Sequence, residues 1–230
     1  MVPILHETAA FVVCCKPVGV SAQGADDAAL PQLLKNQLKC EIFPVHRLDQ
    51  AVGGVMVCAK TAKEAARLSA CIAAGTFRKT YLAVVTGCPA ETCGEWEDLL
   101  FHDRAKNKTF IVKRMRGGVK KARLAYEVLA ARDGKSLVRV RLYTGRTHQI
   151  RVQFVSRGFP LVGDRKYGSR ENGCACALWS HALEFPAADG HTLSFSAPMP
   201  DTFPWNAFTA AYCGSGGAYG SNAAQNTPEK

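Results

Sequence analysis

Long apolar runs, a secretory leader and a phosphate-binding loop are all missing from the pattern of this sequence. No apolar stretch reaches the about 18 residues that a membrane-spanning helix needs, so we expect no membrane association. Residues 1–8 have neither a basic stretch nor a long apolar stretch, which argues against secretion and favours a cytoplasmic protein. Because no glycine-rich loop follows a predicted strand, a nucleotide cofactor is not indicated.

Acidic residues are absent from one long segment of a chain whose net charge is +10. Between Arg104 and Arg123 there are nine basic residues and no acidic one, with Gly117-Gly118 among them. A block of one sign with glycines and a few apolar residues is typical of a hairpin or flexible finger that meets phosphates. The alternative is a solvated charged surface. The total charge favours a polyanionic partner.

Cysteine is abundant, with ten residues, but its placement argues against both disulfides and zinc. Cys14 and Cys15 are neighbours in an apolar strand pattern, where successive side chains point to opposite faces. Cys174 and Cys176 have only His181 nearby as a further ligand, whereas a tetrahedral site usually needs two ligand pairs. We therefore expect reduced thiols, as in the cytosol, and no metal.

Hydrophobic periodicity predicts short strands interrupted by isolated helices. Asp133-Gly134, between two alternating segments, is typical of a hairpin turn. The chain is expected to be rich in turns from Gly87 to the basic segment. This order is typical of an α+β fold with a mostly antiparallel sheet. The predicted helices cover residues 26–39, 61–75 and about 147–157, and the predicted strands cover residues 11–15, 55–59, 79–85, 124–129, 137–142, 177–185 and 192–197.

The length of 230 residues is enough to bury a sizeable core. We assign residues 1–213 to one folded domain. Residues 214–230 shift to Gly, Ser, Ala and Asn, a composition that predicts a disordered tail.

The stretch His46-Arg47-Leu48-Asp49 stands before a predicted buried strand and is followed by Gly53-Gly54. An aspartate on a loop between two buried segments is placed as catalytic groups often are, because a rigid scaffold positions it while the loop leaves it accessible. The alternative is that Asp49 caps a turn and Arg47 pairs with a surface acid.

Arg151 presents a conflict within the last predicted helix. It lies three and four residues before Phe154 and Val155, on the apolar side of that helix. A buried guanidinium without a partner costs several kcal/mol, on the order of the penalty for other buried charges, so we expect a carboxylate beside it. Asp49 is the acid with the most apolar context. The alternative is that Arg151 lies at the edge of the apolar side and extends to water.

Five stretches in sequence order resemble the RluA-type pseudouridine synthases, enzymes that isomerise uridine in RNA. They are Lys16-Pro17-Val18-Gly19, His46-Arg47-Leu48-Asp49 with Gly54, Arg78-Lys79-Thr80-Tyr81-Leu82-Ala83-Val84, Gly145-Arg146-Thr147-His148-Gln149-Ile150-Arg151, and Gly163-Asp164-Arg165-Lys166-Tyr167-Gly168. The likeness covers about residues 10 to 205. Two features depart from the family pattern: Gln50-Ala51-Val52 stands where many members carry Thr-Ser before the last glycine, and no S4 RNA-binding domain precedes residue 11.

The resemblance implies a long bent mixed sheet with the active site across its middle. It implies that Asp49 is the catalytic aspartate, Tyr81 the active-site tyrosine and Arg151 the basic partner of Asp49. It also implies an RNA substrate, rRNA or tRNA, no metal or other cofactor, and a monomer. The residues expected to contact RNA are Arg47, Lys79, Arg104, Lys113, Arg114, Arg116, Arg146 and His148.

The residue types suit the chemistry of moving uracil from an N1 link to a C5 link. A carboxylate can attack the sugar C1′ or remove a sugar proton, and both roles stay open for Asp49. Tyr81 can stack on the base, and its phenol can take the C5 proton if Arg151 lowers its pKa. Two other functions remain: a non-catalytic RNA-binding module, and a hydrolytic N-glycosidase acting through Asp49.

Overall fold

The computed structural model describes residues 1–214, which form one eleven-stranded sheet and four α-helices. The helices are α1 (Leu30–Leu38), α2 (Ala62–Ala73), α3 (Gln149–Val155) and α4 (Thr209–Gly214), and short 3-10 turns cover Arg165–Tyr167 and Trp205–Phe208. The strands are β1 (Ile4–Glu7), β2 (Phe11–Lys16), β3 (Phe43–Pro44), β4 (Gly53–Ala59), β5 (Arg78–Thr86), β6 (Cys93–Asp103), β7 (Lys108–Ile111), β8 (Val119–Arg132), β9 (Lys135–Leu142), β10 (Leu178–Pro186) and β11 (Thr192–Ser196).

The sheet is mixed but almost wholly antiparallel. Its main strand order is β1-β2-β4-β10-β5-β9-β8-β6-β7, with β11 beside β10 and β3 beside β4. In the described residues, β4 and β10 form the one parallel pair, and it lies near the middle of the sheet. The predicted α+β class with a mostly antiparallel sheet is confirmed.

The hairpin between β8 and β9 forms where the sequence predicts it. Asp133 has a φ of 50° and Gly134 a φ of 69°, the left-handed pair that a type I′ turn requires. The turn places Arg132 opposite Lys135, and an irregularity between Val128 and Ala130 then shifts the register by one residue, so that Tyr126 pairs with Val140.

Strand β5 separates two apolar layers. Tyr81, Ala83 and Val85 pack into the main core together with residues of α1 and α3. Leu82 and Val84 pack on the opposite face of the sheet, beneath the last turns of the described chain. The alternation expected for residues 79–85 is therefore confirmed.

Helix α1 begins later than predicted. Asp26 instead forms a turn, in which its Oδ1 accepts from the Ala28 N–H at 2.7 Å and its carbonyl accepts from the Ala29 N–H at 2.8 Å. Pro31 then stands in the first helical turn, where its missing N–H costs nothing. The acid expected to stabilise the start of the helix therefore lies outside it.

Helix α3 is shorter and more buried than predicted. His148 has a φ of 54° and precedes the helix, while every residue from 149 to 154 is buried. The placement of Arg151 on the buried side is confirmed, and the burial extends to the whole stretch from residue 149 to residue 154.

Strand β6 is the clearest difference from the sequence prediction, which expected turns after Gly87. Glu95 and Glu97 are exposed and Trp96 is half-buried, so the strand alternates although its charges resemble a loop. It pairs with β7 on one side and β8 on the other, so the two strands that carry the basic segment do not form a hairpin with each other, and an exposed loop joins them across β6. Of the predicted tail, Gly214 ends α4, and residues 215–230 lie outside the described part.

Within residues 1–214, no helix has the length and apolar character needed to span a membrane. The nine cysteines whose side chains are described are free thiols.

Candidate active site

The Asp49 loop connects β3 to β4 and stands beside the parallel pair of strands. Gly54, with a φ of 112°, faces β10 so closely that an added Cβ would lie 2.2 Å from the Ser180 carbonyl oxygen. Only glycine combines this backbone conformation with that approach. The Ser180 hydroxyl donates to the Val55 carbonyl at 2.9 Å, so the loop is joined firmly to the centre of the sheet.

Lys16 stabilises the Asp49 loop through buried hydrogen bonds, a role that the sequence analysis did not predict. Its ammonium group is fully buried and donates to the carbonyl oxygens of Pro17 at 2.9 Å, Val20 at 2.7 Å and Gln50 at 3.4 Å. Burial lowers the pKa of Lys16 to about 8, against the opposing attraction of Asp49. The available signal was a lysine at the end of an otherwise apolar strand.

His46 also stabilises the Asp49 loop, by joining it to strand β4. Its Nε2 accepts from the Val57 N–H at 3.1 Å, and its ring lies 5.4 Å from that of Phe77. Burial, and then the charge of Lys79, lower the pKa of His46 to about 3, so the ring is neutral near pH 7. The residues around Asp49 are thus held by the sheet rather than by solvent-exposed contacts.

The ion pair predicted between Asp49 and Arg151 is present. An Nη1 proton of Arg151 is donated to Asp49 Oδ2 at 2.9 Å, and the Asp49 side chain is 24% exposed. In the described residues, no hydrogen-bond donor reaches Asp49 Oδ1. The protein therefore orients Oδ2 and leaves Oδ1 without a hydrogen-bond donor among the described residues.

Asp164 is the second and closer partner of Arg151, and the sequence analysis missed it. The guanidinium donates from Nε and Nη2 to the two Asp164 oxygens at 2.7 Å each, and the Asp164 side chain is 1% exposed. Burial opposes the charge on Arg151, but the bonds and charge of Asp164 outweigh it and the pKa of Arg151 is raised. The sequence analysis had chosen Asp49 as the acid with the most apolar context. The structure shows that Asp164 is the more deeply buried of the two partners.

His148 lies beneath the same carboxylate. Its Nε2 is 3.7 Å from Asp49 Oδ2, its Nδ1 is 3.0 Å from the Tyr167 hydroxyl, and that hydroxyl accepts from the Thr109 N–H at 2.8 Å. Burial lowers the pKa of His148 to about 4 in spite of Asp49, so the ring is neutral at pH 7. The Tyr167 hydroxyl also donates to the Thr109 carbonyl at 3.3 Å, so it joins His148 to strand β7.

Tyr81 lies on β5 beside Asp49 and is buried. Burial first, and the charge of Asp49 second, raise the pKa of the Tyr81 phenol, although a hydrogen bond with Ser180 opposes the rise. The expectation that Arg151 lowers the pKa of this phenol is wrong. At rest the Tyr81 hydroxyl is therefore a weak base.

These groups line a cleft of about 780 Å³, a volume within the range of binding sites for small molecules. Arg47, Lys79, Arg146 and His148, all expected to contact RNA, line it together with Asp49 and Tyr81. The other expected contacts lie outside the cleft: Arg104 borders an adjoining groove, and Lys113, Arg114 and Arg116 are exposed on the loop between β7 and β8.

Metal ligands do not assemble in the described residues: no group of three or more His, Cys, Asp or Glu side chains could hold an ion. His181, the candidate near Cys174 and Cys176, uses Nδ1 on the Ala197 carbonyl at 2.8 Å and Nε2 on the Tyr212 hydroxyl at 2.9 Å. Both of its ring nitrogens are therefore engaged.

Sequence comparison relates the chain to enzymes that act on RNA. A model of the RNA pseudouridylate synthase family matches residues 10–156. A protein of Zymomonas mobilis, named as an uncharacterized RNA pseudouridine synthase, is 34% identical over 217 residues, which cover 87% of this chain and 97% of that protein. The ribosomal large subunit pseudouridine synthase D of Pseudomonas aeruginosa is 32% identical over 228 residues, covering 88% of this chain and 69% of that protein. The synthase D of Borreliella burgdorferi is 29% identical, and this chain spans 66% of its length.

Two solved human structures share the fold. Human RNA pseudouridylate synthase domain containing 1 superposes with a TM-score of 0.76 at 24% identity, covering 92% of this chain and 87% of that one. Human RNA pseudouridylate synthase domain containing 4 gives a TM-score of 0.72 at 24% identity, covering 86% of this chain and 88% of that one. At this identity the likeness concerns the fold alone.

Proposed function

The chain belongs to the RluA-type RNA pseudouridine synthases, isomerases that act on RNA, and from that premise we propose that it converts particular uridines of structured rRNA or tRNA to pseudouridine through Asp49. Residues 1–213 are then the catalytic domain. Arg151 orients Asp49, and Tyr81 receives the base.

One observation carries the assignment of Asp49. Its carboxylate is held at Oδ2 by a buried arginine, while Oδ1 has no donor in the described residues and lies in a cleft of suitable size. A carboxylate held in this way is prepared to act on a bound sugar without first breaking a bond to the protein. Asp164 keeps Arg151 in place because it accepts hydrogen bonds from Nε and Nη2, the two guanidinium nitrogens that do not bind Asp49.

Two routes begin at Oδ1. In the first, the carboxylate attacks C1′ and the electrons of the glycosidic bond leave with uracil N1; in the second, the carboxylate removes a sugar proton and uracil leaves by elimination. In both routes the base then turns and C5 bonds to C1′. This bond displaces the Asp49 oxygen from C1′ in the first route, and in the second route Asp49 returns the sugar proton as the bond forms. Asp49 is therefore a carboxylate again before the C5 proton departs.

Tyr81 lies beside the Asp49 carboxylate on the wall of the cleft. Burial first, and the charge of Asp49 second, raise its pKa and keep the phenol protonated at rest. It can therefore take the C5 proton only after giving its own proton to the regenerated Asp49 carboxylate. Its ring also offers a face on which the uracil can stack, a contact worth about 1–3 kcal/mol.

The test maps pseudouridines by carbodiimide treatment and primer extension in cells that lack the gene. We expect particular sites to disappear and to return with the wild-type gene and with Asp133→Asn, an exposed hairpin residue whose left-handed conformation asparagine tolerates. Asp49→Asn should restore none of them. Sites restored by Asp49→Asn would contradict the assignment of this residue.

The same assay distinguishes the other functions. A non-catalytic RNA-binding module would leave every pseudouridine unchanged when the gene is removed. An N-glycosidase would release free uracil from RNA treated with the purified protein, and that uracil is measured directly by chromatography.

A further inference from the structure

A second groove of about 550 Å³ adjoins the catalytic cleft. The two cavities share Arg47, Gly145, Arg146 and Thr147 on their walls. A chain that enters the cleft and continues past the two arginines therefore arrives in this groove.

The floor of the groove is the exposed end of one face of the sheet, where β6 and β8 lie side by side. Along β8, the side chains of one face run from the buried Leu124 and Ala122 to the exposed Lys120. On β6, which pairs with β8, the matching row begins at the buried Leu100 and leads to the exposed Arg104 just beyond the strand. On both strands, the row of side chains that begins in the core therefore ends in a cation, at the same edge of the sheet.

The basic side chains on the two faces of this sheet differ in whether they have an acidic partner. On the opposite face, Lys121 lies 3.6 Å from Glu97. For Arg104 and Lys120, the part of the chain that the structure describes supplies no ion pair. The ionisable groups on the groove wall are Arg47, Arg104, Lys120, Arg146 and His102, and none is acidic.

The two shared arginines are held in position by the protein. Arg47 donates from Nη2 to the Thr147 hydroxyl, and Arg146 donates from Nε to the Lys121 carbonyl at 2.9 Å. Each guanidinium keeps further donors for a ligand, since it has five N–H groups in all. Guanidinium and ammonium groups with no acid among them match phosphate.

We propose that this groove binds the nucleotide next to the target uridine, with Arg104 and Lys120 on its phosphodiester. The proposal rests on the proposed function and extends it, because it names which part of the RNA lies outside the catalytic cleft. The groove acts on the backbone, so it adds affinity and sets register without reading a base.

The experiment measures the affinity of a nine-nucleotide RNA, with one central uridine among cytidines, at 50 mM salt. Each phosphate in turn is replaced by an uncharged methylphosphonate. Binding is measured in the Asp49→Asn background, so that turnover does not alter the probe. In that protein we expect one linkage adjacent to the uridine to lose about fivefold in affinity when it is neutralised, the effect of an exposed ion pair.

A protein that also carries Arg104→Gln and Lys120→Gln should bind the unmodified RNA more weakly and lose nothing further when that linkage is neutralised. Its slope of log affinity against log salt should fall by about 0.7, the figure for one phosphate of a single strand that is no longer neutralised. Lys121→Gln is the matched control, since it removes the neighbouring lysine of the same strand on the opposite face. It should behave as the parent does.

Three results would overturn the subsite: equal losses in the parent and the double variant when the linkage is neutralised, an effect of Lys121→Gln as large as that of the double variant, or no binding of the RNA by the parent. All three concern binding alone. A protein that fails to form pseudouridine in cells would instead contradict the proposed function while leaving this comparison readable.

Discussion

Replacing Asp164 by asparagine tests how Arg151 is held beside Asp49. The change keeps the shape of the side chain but removes the charge that faces two guanidinium donors at 2.7 Å. Arg151 is 7% exposed at its side chain, so it cannot replace that charge with water. It would be left with Asp49 as its only anionic partner among the described residues.

The expected loss follows from this burial. Removing one partner of a buried ion pair typically costs about 3–5 kcal/mol in the free energy of unfolding. For a protein of this size, such a loss lowers the melting temperature by about 6–20 °C. Arg151 should also turn towards Asp49 and occupy both of its oxygens, so we expect Asp164→Asn to lose turnover more than it loses RNA affinity.

Urea denaturation at pH 7 measures the stability, and Asp98→Asn is the matched control. Asp98 binds Arg157 at 3.0 Å and Gln153 at 2.7 Å, but its side chain is 14% exposed and that of Arg157 is 27% exposed. Because Arg157 can reach water, we expect the control to lose about 1–3 kcal/mol. If Asp98→Asn cost as much stability as Asp164→Asn, the argument from burial would be refuted.

A double variant separates folding from catalysis. Arg151→Met with Asp164→Leu replaces the buried pair by apolar side chains of similar size, which is often neutral or stabilising. We expect this protein to recover the stability that Asp164→Asn loses and to remain inactive. Full activity in the stable double variant would show that Arg151 has no part in the reaction.

The remaining predictions concern the reaction and the basic loop. Asp49→Asn should abolish turnover yet bind RNA within a few-fold of wild type in a filter-binding assay, because one carboxylate adds little to the binding of a polyanion. Tyr81→Phe should bind RNA normally and stall after the glycosidic bond is broken, with an intermediate visible by mass spectrometry, whereas Tyr81→Ala should also bind more weakly; wild-type turnover by Tyr81→Phe would exclude the phenol as a base. Replacing Lys113, Arg114 and Arg116 by glutamine should lower the salt slope of binding by about two, and an unchanged slope would identify the loop as a solvated surface.

The pair of Asp49 and Arg151 could be predicted because each residue carried a local signal. A charge on the apolar side of a helix demands a partner, and an aspartate before a buried strand is a candidate. Asp164 carried no such signal, since its neighbours Gly163 and Arg165 resemble an exposed turn. Its burial arises only when α3 and the turn at Asp164 come together, which no local pattern reports.

Other differences have the same origin. Strand β6 resembled turns because Glu95 and Glu97 stand between its apolar residues, and its pairing with β8 decides the structure. His148 was expected to contact RNA, and its position below Asp49, where its Nδ1 meets the Tyr167 hydroxyl, could not be predicted because it depends on a left-handed backbone and a residue nineteen positions away. Residue type and spacing indicated the chemistry of the site, and contacts across the fold decided its geometry.

Because β4 pairs with β10, the centre of the sheet can form only after the ribosome has synthesised β10. Strands β4 and β5 leave the ribosome long before β10, the strand that lies between them in the finished sheet. Until then each presents an open edge, and the Asp49 loop has no Ser180 against which to lock. Pairing between strands so far apart in sequence forms slowly. We expect a nascent chain that stops before β10 to have no working cleft, so that catalytic competence arrives only after β10 has been synthesised.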